Sequence, residues 1–479
     1  MLSNTHIAVI KPLVSPRELI RTFPPSPEDG AFVESSRATV EDILHGKDPR
    51  FLVIVGPCSI HDYDAALDYA RRLVQMRDSF PNLFLVMRVY FEKPRTRKGW
   101  KGFLYDPDID ESFLIDKGLA LARKLLLQLT QLRVPIGTEF LDTITPQYLA
   151  DLVSWGAIGA RTSESQIHRQ LASGLSMPIG FKNLTSGDYE KAIDGILAAN
   201  HGQNFFGVDD KGVASHVRTE GNPHTHLILR GGTEPNYKEE TLAGVTRMLK
   251  QESIHTGILI DCSHGNSQKE YMRQILVALY VHRLFVQGTY PIRGIMLESH
   301  LHKGKQSKPE QYGVSITDAC IDVDTTATLF QWLHSFDSVT CANLSELRVL
   351  IQTADEQIFH CLHGEPYVGM SPIASKYHFE EDAKVYEICR GYEPTEALLM
   401  LVSTRLSFAN RLAELLFANL SLDTLQTVPI DQILGEEGTW ESHPLFPAIL
   451  ECSKSIQIRC LEQRIQRLRG VFGGMNPIA

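Results

Sequence analysis

Residues 51–62 read FLVIVGPCSIHD: five apolar residues, three of them β-branched, then a Gly-Pro turn, then Cys58, Ser59, His61 and Asp62 within five positions. A short apolar run closed by a turn signal reads as a strand. Seven more such runs follow, at residues 83–91, 136–141, 157–161, 177–182, 226–230, 258–264 and 293–299. Amphipathic stretches of helical period lie after them, at 64–80, 112–132, 146–155, 163–174, 187–200, 238–251, 267–286 and 325–336. Eight strands each followed by a helix are what a (β/α)8 barrel of the α/β class requires. A doubly wound sheet seldom needs eight buried strands. Residues 205–217, with Asp210-Lys211-Gly212 at their turn, read as a hairpin inserted between the fifth and sixth strands.

On the N-terminal side, residues 1–50 carry two proline-bearing stretches, at Ser15-Pro16 and 23–27, and a helical pattern over 34–44; they read as an arm leading into the barrel of residues 51–338. Beyond 338 the strand rhythm stops, and residues 339–479 read as an all-helical domain. Hydrophobic residues make up 43% and charged residues 22% of the 479, the balance of a soluble globular protein with more than one domain. A net charge of -10 argues against a general nucleic-acid binder. The eight cysteines form no CxxC pair, which is reduced-thiol usage. No stretch reaches the length of a membrane span, and the first residues lack a basic region followed by an apolar core, so a cytoplasmic protein is expected.

Barrels build their active sites at the C-terminal ends of the strands. Here those ends deliver Cys58, Arg88 with the following Lys93-Pro94-Arg95-Thr96, Glu139, Arg161, Lys182, Arg230, His264 and Glu298, with Asp318 shortly after. Each alone has an ordinary reading: a core thiol, a structural histidine, an ion-paired surface arginine. Together they sort into two chemical sets. Arg88, Lys93, Arg95, Arg161, Lys182 and Arg230 are cations aimed at one volume, and guanidinium forks suit phosphate and carboxylate. This predicts substrates carrying two phosphates and a carboxylate. Cys58, His264, Glu298 and Asp318 offer sulfur, nitrogen and oxygen donors, suited to one divalent Mn, Fe, Co or Zn ion and poorly suited to Mg.

With these residues assembled, the chain resembles the 3-deoxy-D-arabino-heptulosonate 7-phosphate (DAHP) synthases of class I alpha. The motifs are GPCSIHD from Gly56, MRVYFEKPRT from Met87, GWKG from Gly99, the stretch from Glu139 to Gln166, PIGFKN from Pro178, LILRGG from Leu227, SHGNS from Ser263, MLESHL from Met296 and YGVSITDAC from Tyr312. The resemblance implies condensation of phosphoenolpyruvate with D-erythrose 4-phosphate and water, the first step of the shikimate pathway. It implies metal ligation by Cys58, His264, Glu298 and Asp318, phosphoenolpyruvate contacts at Arg88, Arg161, Lys182 and Arg230, and sugar-phosphate contacts at Lys93, Pro94, Arg95 and Thr96. Glu139 is expected to stabilise a cationic C2 or orient the attacking water. Lys93, among so many cations, is expected to have a depressed pKa suited to proton donation. An aromatic amino-acid effector and a homo-oligomer, dimer or tetramer, are implied as well. The effector site is expected where the arm, residues 147–151, the helix end near Ser176 and the 205–217 hairpin meet. Leu184 departs from the glycine usual in the family.

Residues 343–362 resemble the first helix of the chorismate mutases, with Arg348 and Lys376 at catalytic cation positions. Glu365 and Glu381 stand where further catalytic residues belong, and two carboxylates would repel a dianionic substrate. The expectation is a regulatory or assembly module without mutase activity; an active chorismate mutase is the alternative. For the barrel, the alternative is another phosphoenolpyruvate–sugar phosphate synthase, such as the octulosonate phosphate type.

Overall fold

The computed structural model describes residues 3–95 and 97–338. The expectations for Thr96 and for residues 339–479, including Arg348, Glu365, Lys376 and Glu381, lie outside the described residues. The described chain falls into two compact units, residues 3–274 with 290–326, and residues 275–289 with 327–338.

In the first unit the strands are β1 (Phe51–Gly56), β2 (Leu83–Arg88), β3 (Ile136–Glu139), β4 (Trp155–Ile158), β5 (Ile179–Lys182), β6 (Asn204–Val208), β7 (Ala214–Arg218), β8 (Thr225–Leu229), β9 (Ile258–Asp261), β10 (Ile292–His300) and the two-residue β11 (Ile321–Asp322). All eight expected strands are present. They pair in parallel in the order β1-β2-β3-β4-β5-β8-β9-β10, and β10 returns to β1 with Leu52 opposite Gly294 and Gly56 opposite Glu298. The sheet is a closed (β/α)8 barrel. Its inward residues, among them Leu52, Ile54, Val86, Trp155, Ala157, Ile228, Leu259 and Met296, form one fully buried cluster. Apolar residues on both faces follow from the architecture: one face fills the interior and the other meets helices.

The helices are α1 (Pro16–Thr22), α2 (Pro27–Leu44), α3 (Tyr63–Arg77), α4 (Ile115–Gln131), α5 (Pro146–Leu149), α6 (Gln166–Ala172), α7 (Glu190–Ala199) and α8 (Glu239–Gln251). The last two helices, α9 (Arg273–Gln287) and α10 (Val323–Ser338), begin in the first unit and run on in the second, where Val277, Val281 and Leu284 of α9 and Phe330 and Leu333 of α10 are buried. No helix among the described residues is long and apolar enough to cross a membrane.

Two differences from the sequence reading are instructive. The arm's two proline-bearing stretches each start a helix. Ser15 and Ser26 are N-caps followed by Pro16 and Pro27, and Ser26 and Asp29 close a full capping box, so α2 begins well before residue 34. The expected helix over 146–155 shrinks to α5 and a single 3-10 turn (Ala150–Leu152). The cause is Trp155, which enters β4 opposite Gly137 and forces residue 153 to be extended.

Val40, Ile43 and Leu44 of α2 belong to the barrel's own core cluster, which leaves the strands' C-terminal ends for the site. The 205–217 hairpin is present as antiparallel β6–β7, turning at Gly212 with φ 77°. Its turn holds the arm: the Arg17 N–H and Nε donate to Asp210 O and Oδ2, both at 2.7 Å. The arm also meets α5, where the Tyr148 hydroxyl donates to Val14 O at 2.8 Å. Buried Arg123 donates to Phe23 O and grips both carboxylate oxygens of Asp151 at 2.8 Å.

Candidate active site

The floor of the site is an ion pair. Arg88, at the end of β2, donates to Glu298 Oε1 on β10 at 3.2 Å, with both side chains 1% exposed. Its guanidinium carbon lies 4.0 Å from the centre of the Tyr90 ring. Burial disfavours the Arg88 charge, but Tyr90, Glu298 and Cys58 outweigh it and hold the group charged. Beside it, Lys182 at the end of β5 donates to Glu139 Oε2 at 3.2 Å and lies 3.7 Å from Asp261 Oδ2. Burial opposes ionisation of Glu139 too, yet Lys182 and Lys93 keep its pKa below the usual carboxylate range. A Cβ on residue 159 would stand 2.5 Å from Glu139 Oε1, so this carboxylate fits because Gly159 follows β4.

The second set assembles next to this floor. Single donor atoms of Cys58, Glu298 and Asp318 all lie within 4.8 Å of one another. The Cys58 thiol is pushed up to about 11 by burial and by Glu298 and Asp318, with Lys93 and Arg88 acting the other way. Three acidic groups crowded in this manner are stabilised by a cation between them, and one thiolate with two carboxylates suits a borderline divalent ion. The group therefore fits a metal. His264 stands beside it rather than within it. Its Nε2 is 3.8 Å from Glu298 Oε1, and its Nδ1 is 3.0 Å from Asp261 Oδ2.

Lys93 corrects the sequence expectation. Its Nζ lies 3.1 Å from both Cys58 Sγ and Cys58 O. Burial does lower its pKa, but Cys58, Glu298 and Asp318 raise it further, so the net displacement is upward. The expected depression counted the neighbouring cations and missed the closer anions. The same sorting applies to the whole cation set: Arg88 and Lys182 pair with protein carboxylates at the floor and Lys93 lies against Cys58, whereas Arg95, Arg161 and Arg230 form no salt bridge among the described residues.

These residues face one cavity of about 680 Å³, lined by Arg88, Lys93, Pro94, Arg95, Glu139, Arg161, Lys182, Arg230, His264 and Asp318. Tyr90, Thr185, Lys269 and Lys305 line it too and were not anticipated. Leu184, next to Thr185, lies in a tight turn, its N–H donating to Asp188 O at 2.8 Å. Asp261 was missed because a single Asp ending the run Ile-Leu-Ile-Asp reads as a strand terminus; its signal was a charge inside an otherwise apolar strand. Glu92, inside the quoted EKPRT motif, drew no role. A wider depression of about 1180 Å³ lies between α3 and residues 301–324, where Asp68 already pairs with Arg71 and accepts from Tyr312, each at 2.6 Å. None of the candidate residues lines it.

A closed parallel barrel whose strand ends bring arginines with no salt bridge among the described residues beside a metal-competent Cys/Glu/Asp group defines a (β/α)8 protein with a cationic, metal-competent rim. The comparisons narrow this to a family. Residues 30–331 match the model of the DAHP synthetase I family, and the chain belongs to that family. It is 47% identical over 339 residues to the Escherichia coli phospho-2-dehydro-3-deoxyheptonate aldolase described as Tyr-sensitive, covering 70% of this chain and 95% of that one. The Trp-sensitive E. coli enzyme is 47% identical over 333 residues, 68% of this chain and 96% of that one. A solved phospho-2-dehydro-3-deoxyheptonate aldolase from Francisella tularensis superposes with a TM-score of 0.67 at 46% identity, covering 68% of this chain and 97% of the other. The family read from the motifs is the family matched.

Proposed function

We propose that the barrel condenses phosphoenolpyruvate with D-erythrose 4-phosphate and water to give 3-deoxy-D-arabino-heptulosonate 7-phosphate and phosphate. The observation that carries this reading is the cavity itself: Arg95, Arg161 and Arg230, which form no salt bridge among the described residues, line it together with Asp318 of the Cys58/Glu298/Asp318 group. Phosphoenolpyruvate is held by Arg88, Arg161, Lys182 and Arg230, and the sugar phosphate by Lys93, Pro94, Arg95 and Thr96. Charge-assisted contacts of this kind fix both substrates in the orientation for attack. C3 of phosphoenolpyruvate bonds to the aldehyde carbon, and the aldehyde oxygen takes a proton. Water adds at C2, and phosphate leaves with the bridging oxygen. Lys93, held charged by its acidic neighbours, carries a proton at Nζ beside the Cys58 corner and donates it toward the forming alkoxide. Glu139, held ionised, faces the developing cationic C2 or orients the water. Cys58, Glu298, Asp318 and the adjacent His264 would hold one Mn, Fe, Co or Zn ion, which supplies Lewis-acid polarisation of the aldehyde carbonyl.

The same reading takes an aromatic amino acid as feedback effector at the junction of arm, α5 and hairpin, a homo-oligomeric assembly, a cytoplasmic setting, and a regulatory or assembly role for residues 339–479. A phosphate-release assay with both substrates, with and without chelator, tests the chemistry. Release that needs erythrose 4-phosphate and is lost on chelation supports it. Preference for arabinose 5-phosphate would transfer the reading to the octulosonate type, and release without any aldose would overturn it.

A further inference from the structure

Asp261 ends β9, and its carboxylate is fully buried. A buried carboxylate is strongly unfavourable unless its charge is matched. Its oxygens divide their partners. Oδ1 accepts the Ser263 N–H at 3.0 Å, while Oδ2 stands 3.0 Å from His264 Nδ1 and 3.7 Å from Lys182 Nζ. Oδ2 and His264 Nδ1 are both buried, and neither makes a hydrogen bond of regular geometry among the described residues, so their 3.0 Å approach is a charge contact between carboxylate and ring. The backbone keeps them together. His264 has φ 56°, a left-handed conformation that is strained in a non-glycine residue. The Gly265 N–H donates to Arg230 O at 3.1 Å, Lys269 N–H to His264 O at 2.8 Å, and the Asn266 side-chain amide to Asp261 O at 2.9 Å. This bracing turns the ring so that Nε2, rather than Nδ1, faces Glu298.

We infer that Asp261 is a positioning residue serving both halves of the site, holding His264 so that Nε2 faces the metal-competent corner and holding Lys182 against the phosphoenolpyruvate side. A ring nitrogen ligates a metal only through its lone pair, and a carboxylate at Nδ1 keeps the proton there and leaves Nε2 free. The Lys182 half rests on the functional reading above; the His264 half needs only the metal group.

The test is Mn²⁺ titration of the metal-stripped full-length chain, following free Mn²⁺ by electron paramagnetic resonance. Asp261→Asn keeps the side chain's shape and removes its charge. It should weaken Mn²⁺ binding by about 10–100-fold, as loss of such an outer partner generally does. In a His264→Ala background it should add nothing, because its effect travels through the imidazole. In kinetics the same variant should raise KM for phosphoenolpyruvate and leave KM for the aldose phosphate unchanged. If Asp261→Asn alone does not fold, the paired Lys182→Met/Asp261→Asn chain leaves that ion pair's partners both uncharged and should show the same loss of Mn²⁺ affinity. Unchanged Mn²⁺ binding, or an equal loss with and without the imidazole, overturns the His264 role, and an unchanged KM for phosphoenolpyruvate overturns the Lys182 role. The titration contains no substrate, so a chain that binds Mn²⁺ as described but condenses nothing defeats the functional reading and leaves the His264 role standing.

Discussion

Glu92 allows a quantitative test of how the loop carrying Lys93 is held. Its side chain is 4% exposed and anchors the segment after β3: its oxygens accept from the Asp142 N–H at 3.0 Å and from the Leu141 N–H and Thr145 hydroxyl at 3.3 Å. Burial outweighs these bonds, with the Asp142 carboxylate adding to it, and raises the Glu92 pKa from 4.5 to about 7. Between those two values the folded protein keeps a proton that the unfolded chain has lost. Stability therefore falls as pH rises through this window, and above it the ionised carboxylate costs about 3 kcal/mol. Glu92→Gln abolishes the titration. Its amide NH₂ must face donors at one of the two oxygen positions, a penalty of about 1–3 kcal/mol that does not depend on pH. The difference in unfolding free energy between variant and wild type should thus move by about 2–3 kcal/mol in the variant's favour from about pH 5 to pH 8, whatever its absolute value. Urea denaturation of both proteins across that range measures it. A pH-independent difference, or one moving the other way, would refute the argument.

Chelation should abolish condensation and Mn²⁺ or Co²⁺ should restore it, while Cys58→Ala should fold, bind Mn²⁺ weakly and stay inactive; full activity of the chelated enzyme sinks the metal assignment. Arg161→Ala and Arg230→Ala should each weaken phosphoenolpyruvate binding by about 1.5–3 kcal/mol, the worth of a charged contact. Arg95→Ala should instead raise KM for the sugar phosphate, and initial rates with each substrate varied separately would expose an exchange of these roles. Deleting residues 1–30 removes the Arg17–Asp210 and Val14–Tyr148 contacts. The deletion should relieve inhibition by phenylalanine, tyrosine or tryptophan while sparing catalysis, and undiminished inhibition would place the effector elsewhere.

The strand rhythm from residue 51 to residue 299 was enough to define the barrel, because a strand buried on both faces must be apolar throughout and its neighbours must repeat the pattern. The rim residues were legible for a related reason: charge at the end of an apolar strand has nowhere to go but the rim. Helix limits were less legible, since Trp155 belongs to β4 through its pairing with Gly137, a contact no local pattern reveals. What the tertiary structure alone decided was pairing. Glu298 neutralises Arg88 across 210 positions of sequence, Asp261 reaches both Lys182 and His264, and the anions around Lys93 reverse the pKa direction that a count of nearby cations suggests. Sequence shows which residue types arrive at the rim, whereas electrostatic energy depends on separations of a few ångströms, and those are set only when the barrel closes.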